Sequence, residues 1–389
     1  MDFRKTEDQE LFIASLQEVV RRYGTEEYIK ECDEKGEYPV KLMEALHEAG
    51  FDMLGVPEEY GGTPCDMQTL MMYHEEFARI CSGAYACECV ALAMADMIKF
   101  GSKEQIQDCV DSINELKTPF CLGFTEPQAG SDSGAITTSY TRKNGKIYLN
   151  GRKTFISRAD IAGHMLCMAV NADGPDPVTG KKQFTTLWVP MDAPGIKVEP
   201  IPKVGWHMVH SCDVYLDNIE LEGKDIVGVE GKGFVNVMKN FEIERIVMSA
   251  TALGEATMAF EDAIVYANQR EQFGKPIGQF QLIQEKLVDM ATKIENMRNF
   301  VYKAAWMEDN GIPVNTMAAM CKRYCARASF EVVNDAMQIF GGIGYSSDLR
   351  IARVWRNNRI CGIGGGTEEI MVHVAGRALL KQYKDFQAL

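Results

Sequence analysis

The stretch SYTRKNGKIYLNGRKTFIS, Ser139 to Ser157, decides how the rest of the chain is read. Ser139-Tyr140-Thr141 and Lys146-Ile147-Tyr148-Leu149 flank Asn144-Gly145, and Asn150-Gly151 precedes Lys153-Thr154-Phe155-Ile156. An Asn-Gly pair between β-branched and aromatic residues signals a hairpin, because a tight I′ turn needs positive φ at both central positions. Both pairs are therefore expected to turn the chain. Working outward, Thr185-Thr186-Leu187-Trp188-Val189 and Cys212-Asp213-Val214-Tyr215-Leu216 continue the strand pattern, while Asn171 to Lys182 is a polar, proline-containing loop. Residues 118–229 are thus expected to form a middle, barrel-like β-domain.

Both flanks read as helix. In residues 1–117, Leu11, Phe12, Ser15, Leu16, Val19 and Val20 recur with a helical period, and Gly24 supplies a stop. Pro39 can open a second helix carrying Leu42, Leu46 and Phe51, followed by runs at Met67–Ile80, at Tyr85–Phe100 and from Lys103. In residues 230–389 the runs are longer: Lys232 to Gln269, Gln279 to Asn310, Val314 to Phe340 and Thr367 to Tyr383. Long apolar-striped helices joined by short loops point to a C-terminal antiparallel four-helix bundle. The stripes themselves (Met248, Ala252, Met258; Leu282, Leu287, Met290) read as core.

Composition bounds the function. The 389 residues are enough for two or three domains, and 46% hydrophobic with 25% charged residues excludes disorder. A net charge of −14 repels phosphate backbones and anionic lipid, so neither nucleic acid nor membrane is expected as a partner. No apolar run reaches the ~20 residues needed to span a bilayer. Met1 to Glu10 is charged and lacks an apolar signal core, so the expected compartment is the cytoplasm, with thiols reduced. The twelve cysteines contain no C-x-x-C pair, and His207 and His210 stand without acidic neighbours, so no metal is expected. No G-x-G-x-x-G follows a strand and no Walker A string occurs, which argues against a Rossmann or P-loop cofactor site.

Three strings rise above background. Gly123-Phe124-Thr125-Glu126-Pro127-Gln128-Ala129-Gly130-Ser131-Asp132 ends a strand in a loop offering hydroxyls and backbone N–H groups to a heterocycle or phosphate. Arg270-Glu271-Gln272-Phe273-Gly274, with Gln281 beyond, places a cation at a helix end. Gln338-Ile339-Phe340-Gly341-Gly342 leads on towards Thr367. Each string alone is also compatible with an ordinary turn or a solvated helix end.

In this order, and together with Val56-Pro57-Glu58-Glu59-Tyr60-Gly61-Gly62, Asn150-Gly151-x-Lys153 and Gly231-x-Gly233-Phe234, they resemble the acyl-CoA dehydrogenase family over essentially the whole chain. Within it the sequence is most similar to the crotonobetainyl-CoA reductases (γ-butyrobetainyl-CoA dehydrogenases). The resemblance implies an FAD between β-domain and bundle, lined by Phe124, Thr125 and Ser131 and by Phe155, Ile156 and Ser157. It implies that Arg270, Gln281, Gln338, Ile339, Phe340, Gly341 and Gly342 reach the FAD of a neighbouring subunit. Thr367 and Glu369 match the second loop over the dinucleotide. Ser131, Arg245, Gly365 and Gly366 match positions on the acyl-CoA side. A cofactor shared between subunits implies an oligomer, a tetramer by analogy, exchanging electrons with an electron-transferring flavoprotein.

The chemistry implied by that resemblance needs a desolvated carboxylate to move an α-proton beside a thioester. Most members carry it in a Tyr-Glu-Gly-Thr string, where this chain has Gly364-Gly365-Gly366-Thr367. Gly365 stands in place of the glutamate. Glu244, in Phe241-Glu242-Ile243-Glu244-Arg245 on the first bundle helix, matches the position used by isovaleryl-CoA dehydrogenases. The bland alternative is that Glu244 and Arg245 make ordinary surface ion pairs. The expectation is an enoyl-CoA reductase or acyl-CoA dehydrogenase acting through Glu244 on a short, polar CoA thioester. Its rivals are an ordinary short-chain or aryl acyl-CoA dehydrogenase working oxidatively, and a non-catalytic flavin- or CoA-binding protein.

Overall fold

The computed structural model describes residues 4–81, 83, 94 and 97–384, and the side chain of Val235 is left aside. The N-terminal helices begin where the local chemistry lets them. Thr6 and Gln9 form a reciprocal capping box that opens α1 (Glu7–Tyr23), which buries Ile13, Leu16 and Val20 and ends at Gly24. A helix the hydrophobic pattern did not announce follows. α2 (Glu26–Lys35) is capped by Thr25 and closed by Gly36 in the left-handed conformation at φ 68°. α3 (Val40–Glu48) follows Pro39, but Phe51 lies beyond it in a 3-10 turn. α4 (Met67–Ile80) is capped by Asp66, and α5 (Lys103–Asn114) opens on a Ser102/Gln105 capping box. The run expected from Tyr85 to Phe100 lies largely outside the described residues, of which 97–100 are helical.

The middle of the chain is one eight-stranded sheet. Its strands are β1 (Thr118–Gly123), β2 (Ser139–Lys143), β3 (Lys146–Ser157), β4 (Ala162–Asn171), β5 (Phe184–Pro190), β6 (Ile196–Pro200), β7 (Ser211–Leu221) and β8 (Ile226–Val227). They pair in the order β6-β7-β3-β2-β4-β5-β8, with β1 parallel to β4. The turn between β2 and β3 is at Asn144-Gly145, with φ 54° and 80°. The second Asn-Gly pair makes no turn. Asn150-Gly151 lies inside β3, where pairing with β7 shifts register between Leu149 and Gly151. A Cβ on Gly151 would sit 2.3 Å from the Thr138 hydroxyl, so this glycine serves close strand packing.

The last zone forms the bundle: α6 (Gly233–Gln269), α7 (Gln281–Asp309), α8 (Asn315–Phe340), a short α9 (Arg350–Asn358) and α10 (Glu368–Gln382). The four expected long helices fall within about two residues of their anticipated ends. α9 was not expected. α6 and α8 run parallel: Asn315 donates to Glu242 at 2.8 Å near one end, and the Tyr266 and Phe340 rings meet at 4.6 Å at the other. α7 runs against them, pairing Lys286 with Asp335 and Lys293 with Glu331. α10 runs against α8, with Met371 and Ala375 packed on Ala319. The N-terminal helices share the bundle's core. Where α4 crosses α6, a Cβ on Gly254 would lie 2.1 Å from the Glu75 carbonyl oxygen, so the crossing requires glycine.

Candidate active site

The 124–137 loop is held from beneath by a buried ion pair. Lys153, on β3, is wholly buried; its ammonium donates to Glu126 at 2.8 Å, to the Met168 carbonyl at 2.7 Å and to the Phe124 carbonyl at 3.3 Å. Glu126 also accepts from the backbone N–H groups of Thr137 and Thr138, at 2.8 and 2.9 Å, and from the Thr137 hydroxyl. Burial alone would raise the Glu126 pKa, but the Lys153 charge and these donors outweigh it and bring it down to about 2. The sequence reading used Lys153 only as a signature residue; the structure makes it the anchor of the loop.

That anchoring ties the loop carrying Phe124, Thr125 and Ser131 to the strand carrying Phe155, Ile156 and Ser157. The Phe124 ring meets Phe241 of α6 edge-on at 5.3 Å, and Thr154 N–H donates to the Thr125 carbonyl at 2.9 Å. Thr125 is half-buried and Ser131 exposed. On β3, Ile156 is buried and Ser157 exposed, while Phe155 leaves 64% of its surface open at φ 55°.

Glu244 lies one turn of α6 beyond Phe241. It is half-buried, yet it forms no hydrogen bond and no salt bridge among the described residues. Burial pushes its carboxyl up from the usual range, opposed by the charges of Lys322 and Arg245. The surface-pair alternative does not hold for it. Opposite stands the glycine run, with Gly365 and Gly366 at φ 61° and 93°. A Cβ on Gly365 would lie 2.6 Å from the Met248 sulfur, 3.3 Å from Oε1 of Glu244 and 3.7 Å from Cε of Lys322. The space of a side chain at 365 is thus already taken, by Met248 and by the carboxylate on the other helix.

Lys322 was missed by the sequence reading. It is buried on α8, and its ammonium donates to the carbonyls of Gly364, at 2.5 Å, and Gly366. Burial lowers its pKa to about 8, against the opposing influence of Cys361 and Glu244. A signal was present: Ala318, Lys322, Cys325 and Ser329 share the buried stripe of α8 at helical spacing. A charge on a core stripe is the cue.

Arg245 is buried, with its Nε sealed from solvent and lacking a hydrogen-bond partner, and no salt bridge joins it to Glu242, whose carboxylate accepts from Asn315 instead. Thr367 caps α10 by accepting from Ile370 N–H, with Glu369 exposed in the first turn. The two histidines do have acidic companions, brought from far along the chain. His210 meets Asp160 at 2.5 Å and the Gly36 carbonyl at 2.8 Å, and His207 lies 3.9 Å from Asp33.

The remaining expected residues gather at the opposite end of the bundle. Arg270 ends α6, Gln281 begins α7, and Gln338 to Gly342 close α8, all exposed except buried Ile339 and partly buried Phe340. At 1.5 Å per residue, Gln269 lies about 37 Å along α6 from Glu244. One chain therefore separates these residues from the Glu244 edge by more than an extended dinucleotide reaches.

Comparison with known proteins covers the same three zones. The family models described as "Acyl-CoA dehydrogenase, N-terminal domain", "middle domain" and "C-terminal domain" match residues 6–115, 121–219 and 231–380. The chain is similar to "Probable acyl-CoA dehydrogenase YdiO" of Escherichia coli (strain K12), 50% identical over 99% of this chain and 100% of that protein. Among solved structures, butyryl-CoA dehydrogenase from Megasphaera elsdenii aligns with a TM-score of 0.89 at 32% identity, covering 98% of this chain and 100% of that one. A chain of the structure described as "Electron transferring flavoprotein of Acidaminococcus fermentans: Towards a mechanism of flavin-based electron bifurcation" aligns at 0.90 and 34%, over 98% and 100% respectively.

Proposed function

The chain belongs to the acyl-CoA dehydrogenase family, and from that premise we propose that it interconverts a short, polar acyl-CoA and its 2,3-enoyl-CoA, with Glu244 transferring the α-proton. Family membership makes it an FAD-dependent oxidoreductase acting on the CH–CH bond of an acyl-CoA. The 124–137 loop and β3 suit the flavin: Phe155 presents an open ring on the strand whose Thr154 is bonded to Thr125, and Ser131 is exposed on the loop. Phe124, Ser157, Thr367 and Glu369 are proposed to complete the surface that holds it, and Ile156, its side chain buried in the sheet core, to serve it through its backbone. When bound, the flavin exchanges hydride with the β-carbon of the thioester.

The observation that carries this reading is an acid without a partner. Glu244 combines burial, which raises its proton affinity, with the absence of any hydrogen bond to it among the described residues. Burial raises the proton affinity of the carboxyl, while the charges of Lys322 and Arg245 act against that rise, so the group is placed to take up the α-proton and give it back. The Gly365 peptide lies beside it without a side chain in the way, and its N–H is assigned to the thioester oxygen, where charge develops. Gly366 and Ser131 are assigned to the acyl-CoA side. Arg245 supplies a fixed cation to the CoA chain.

The reductive direction and a crotonobetainyl-like acyl group are our reading from sequence resemblance, with an electron-transferring flavoprotein as donor. A quaternary ammonium tail would call for an aromatic or acidic cage. The similarity to butyryl-CoA dehydrogenase favours a second reading, oxidation of a plain short-chain thioester. Arg270, Gln281 and Gln338 to Gly342 are proposed to serve the flavin of a neighbouring copy, in a tetramer. No helix among the described residues is long and apolar enough to cross a membrane, and a cytoplasmic site of action is part of the proposal.

The test of the base is α-proton exchange. Wild-type holoenzyme should wash deuterium from D2O into the α-carbon of butyryl-CoA, and E244Q should slow this by about 10²–10⁴-fold with flavin retained. Exchange at the wild-type rate in E244Q contradicts the assignment. A panel of CoA thioesters, assayed with a dye in both directions, separates the two substrate readings.

A further inference from the structure

Resting on Glu244 as base, we propose that Lys322 is a positioning residue for the proton transfer. Its ammonium ties the carbonyls of Gly364 and Gly366 into one turn, and its charge beside Glu244 keeps that carboxylate ready to accept a proton.

The geometry is that of a clamp. Gly364 and Gly366 flank the residue at which the family's usual glutamate is absent, and Lys322 reaches both from a different helix, 42 and 44 residues away in sequence. Gly365 and Gly366 have left-handed backbones that no intrahelical bonding supports, so the turn needs an external tie. An ammonium carries three donors and no acceptor, which suits carbonyl oxygens converging from two sides. Oε1 of Glu244 and Cε of Lys322 both lie within 4 Å of the point where a Gly365 Cβ would stand. One buried lysine therefore fixes the peptide assigned to the thioester oxygen and faces the acid assigned to the α-proton.

Three other titratable groups surround the pair. Arg245 neighbours Glu244 on α6, Cys361 lies in the turn before the glycines, and Glu368 begins α10. Of these, Cys361 is neutral near pH 7, its thiol pushed far up by burial. Arg245 adds to the field of Lys322 at Glu244. Glu368 sits 3.6 Å from Arg327, which draws off part of its charge. The placement of Lys322 across from Glu244 is thus the contribution a substitution can remove cleanly.

The experiment uses the holoenzyme in wild-type, K322M, K322Q and K322R forms, with E244Q as control. Bound flavin and thermal midpoint report structure. Single-turnover flavin reduction by butyryl-CoA across pH reports the base. Infrared titration of the Glu244 carboxyl band in oxidised holoenzyme without thioester, identified by its loss in E244Q, reports ionisation without turnover. K322M and K322Q should keep flavin, while the acid limb and the infrared midpoint both move up by about one pH unit or more, a tenfold loss of ionised base per unit below the midpoint. K322R should stay within about half a unit of wild type but react more slowly, its planar head fitting the two carbonyls poorly. Unmoved midpoints in K322M, with only a lower thermal midpoint, overturn the proposal. If K322M does not fold, K322Q keeps the donors and carries the test; loss of flavin in K322Q too shows a purely structural lysine and overturns it equally. E244Q reducing flavin at the wild-type rate removes the base itself, whatever the lysine variants do.

Discussion

At Gly365 the fold leaves no room for a side chain. A side chain there would need a left-handed backbone and the space of the Met248 sulfur, 2.6 Å from any Cβ. G365A should therefore cost about 1–2 kcal/mol from backbone strain alone, with further loss from displacing Met248, read as a lower thermal midpoint. For the same reason the acid cannot simply be moved back. The double substitution E244G with G365E should recover less than a tenth of wild-type turnover, about the level a misplaced base allows; trimming Met248 to Ala in that background should raise it. Full recovery without trimming would mean the glycine run is far more pliant than its tie to Lys322 implies. Glu244 was legible in the sequence only as an acid on a long helix beside a missing one. Its unpaired state was not, because that depends on what other elements leave around it. Lys322 went unread because a lysine inside a long helix ordinarily points to water; only its place on the Ala318–Cys325–Ser329 stripe gave it away.

At the scale of elements, the 124–137 loop depends on Lys153 and Glu126. Removing one partner of a wholly buried pair strands the other charge, so E126Q or K153M should destabilise by about 3–5 kcal/mol and loosen flavin, measurable by thermal unfolding and flavin release. The pH dependence has a definite sign. The folded pKa of Glu126, about 2, lies below its unfolded value, so the stabilisation is complete above pH 4.5 and is lost as pH falls from there through about 2. Wild type should lose more thermal stability than E126Q over that interval; parallel curves would contradict the assignment. A second contact of this kind is the α4–α6 crossing. There G254A drives a methyl into the Glu75 carbonyl and should cost roughly 1–3 kcal/mol.

Elements were the most legible level, since caps and periodicity are local. The runs read from Lys103 and from Thr367 begin in the fold at capping residues, Ser102 and Thr367. Where reading failed, a distant partner decided. Asn150-Gly151 has hairpin chemistry, but β3 continues through it, paired with β7 on both sides of a register shift, and Thr138 leaves no room for a side chain at 151. α9 is short and mostly polar, and ion pairs from Arg353 to Glu26 and from Arg356 to Asp33 bind it to α2.

Across the whole molecule, the length of α6 sets the distances. The residues matched to flavin binding divide between its two ends, about 37 Å apart, so a complete site is expected to draw on two copies. R270A should weaken flavin retention although Arg270 lies far from the Glu244 of its own chain. Mixing E244Q with R270A subunits through partial unfolding and reassembly should restore activity that neither parent has, because one kind of hybrid site then contains both residues. No recovery on mixing, with hybrids shown to form, would place both residues in one chain's site. The three-zone order was readable from turn pairs and periodicity, whereas the division of a site between copies rests on motif resemblance and helix length together.

The central claim is that the proton passes through Glu244. Its most direct measurement is the absorbance of oxidised flavin after E244Q holoenzyme is mixed with excess butyryl-CoA in a single turnover. The account predicts that wild type bleaches within seconds while E244Q binds the thioester and stays yellow; bleaching of E244Q at the wild-type rate would contradict it.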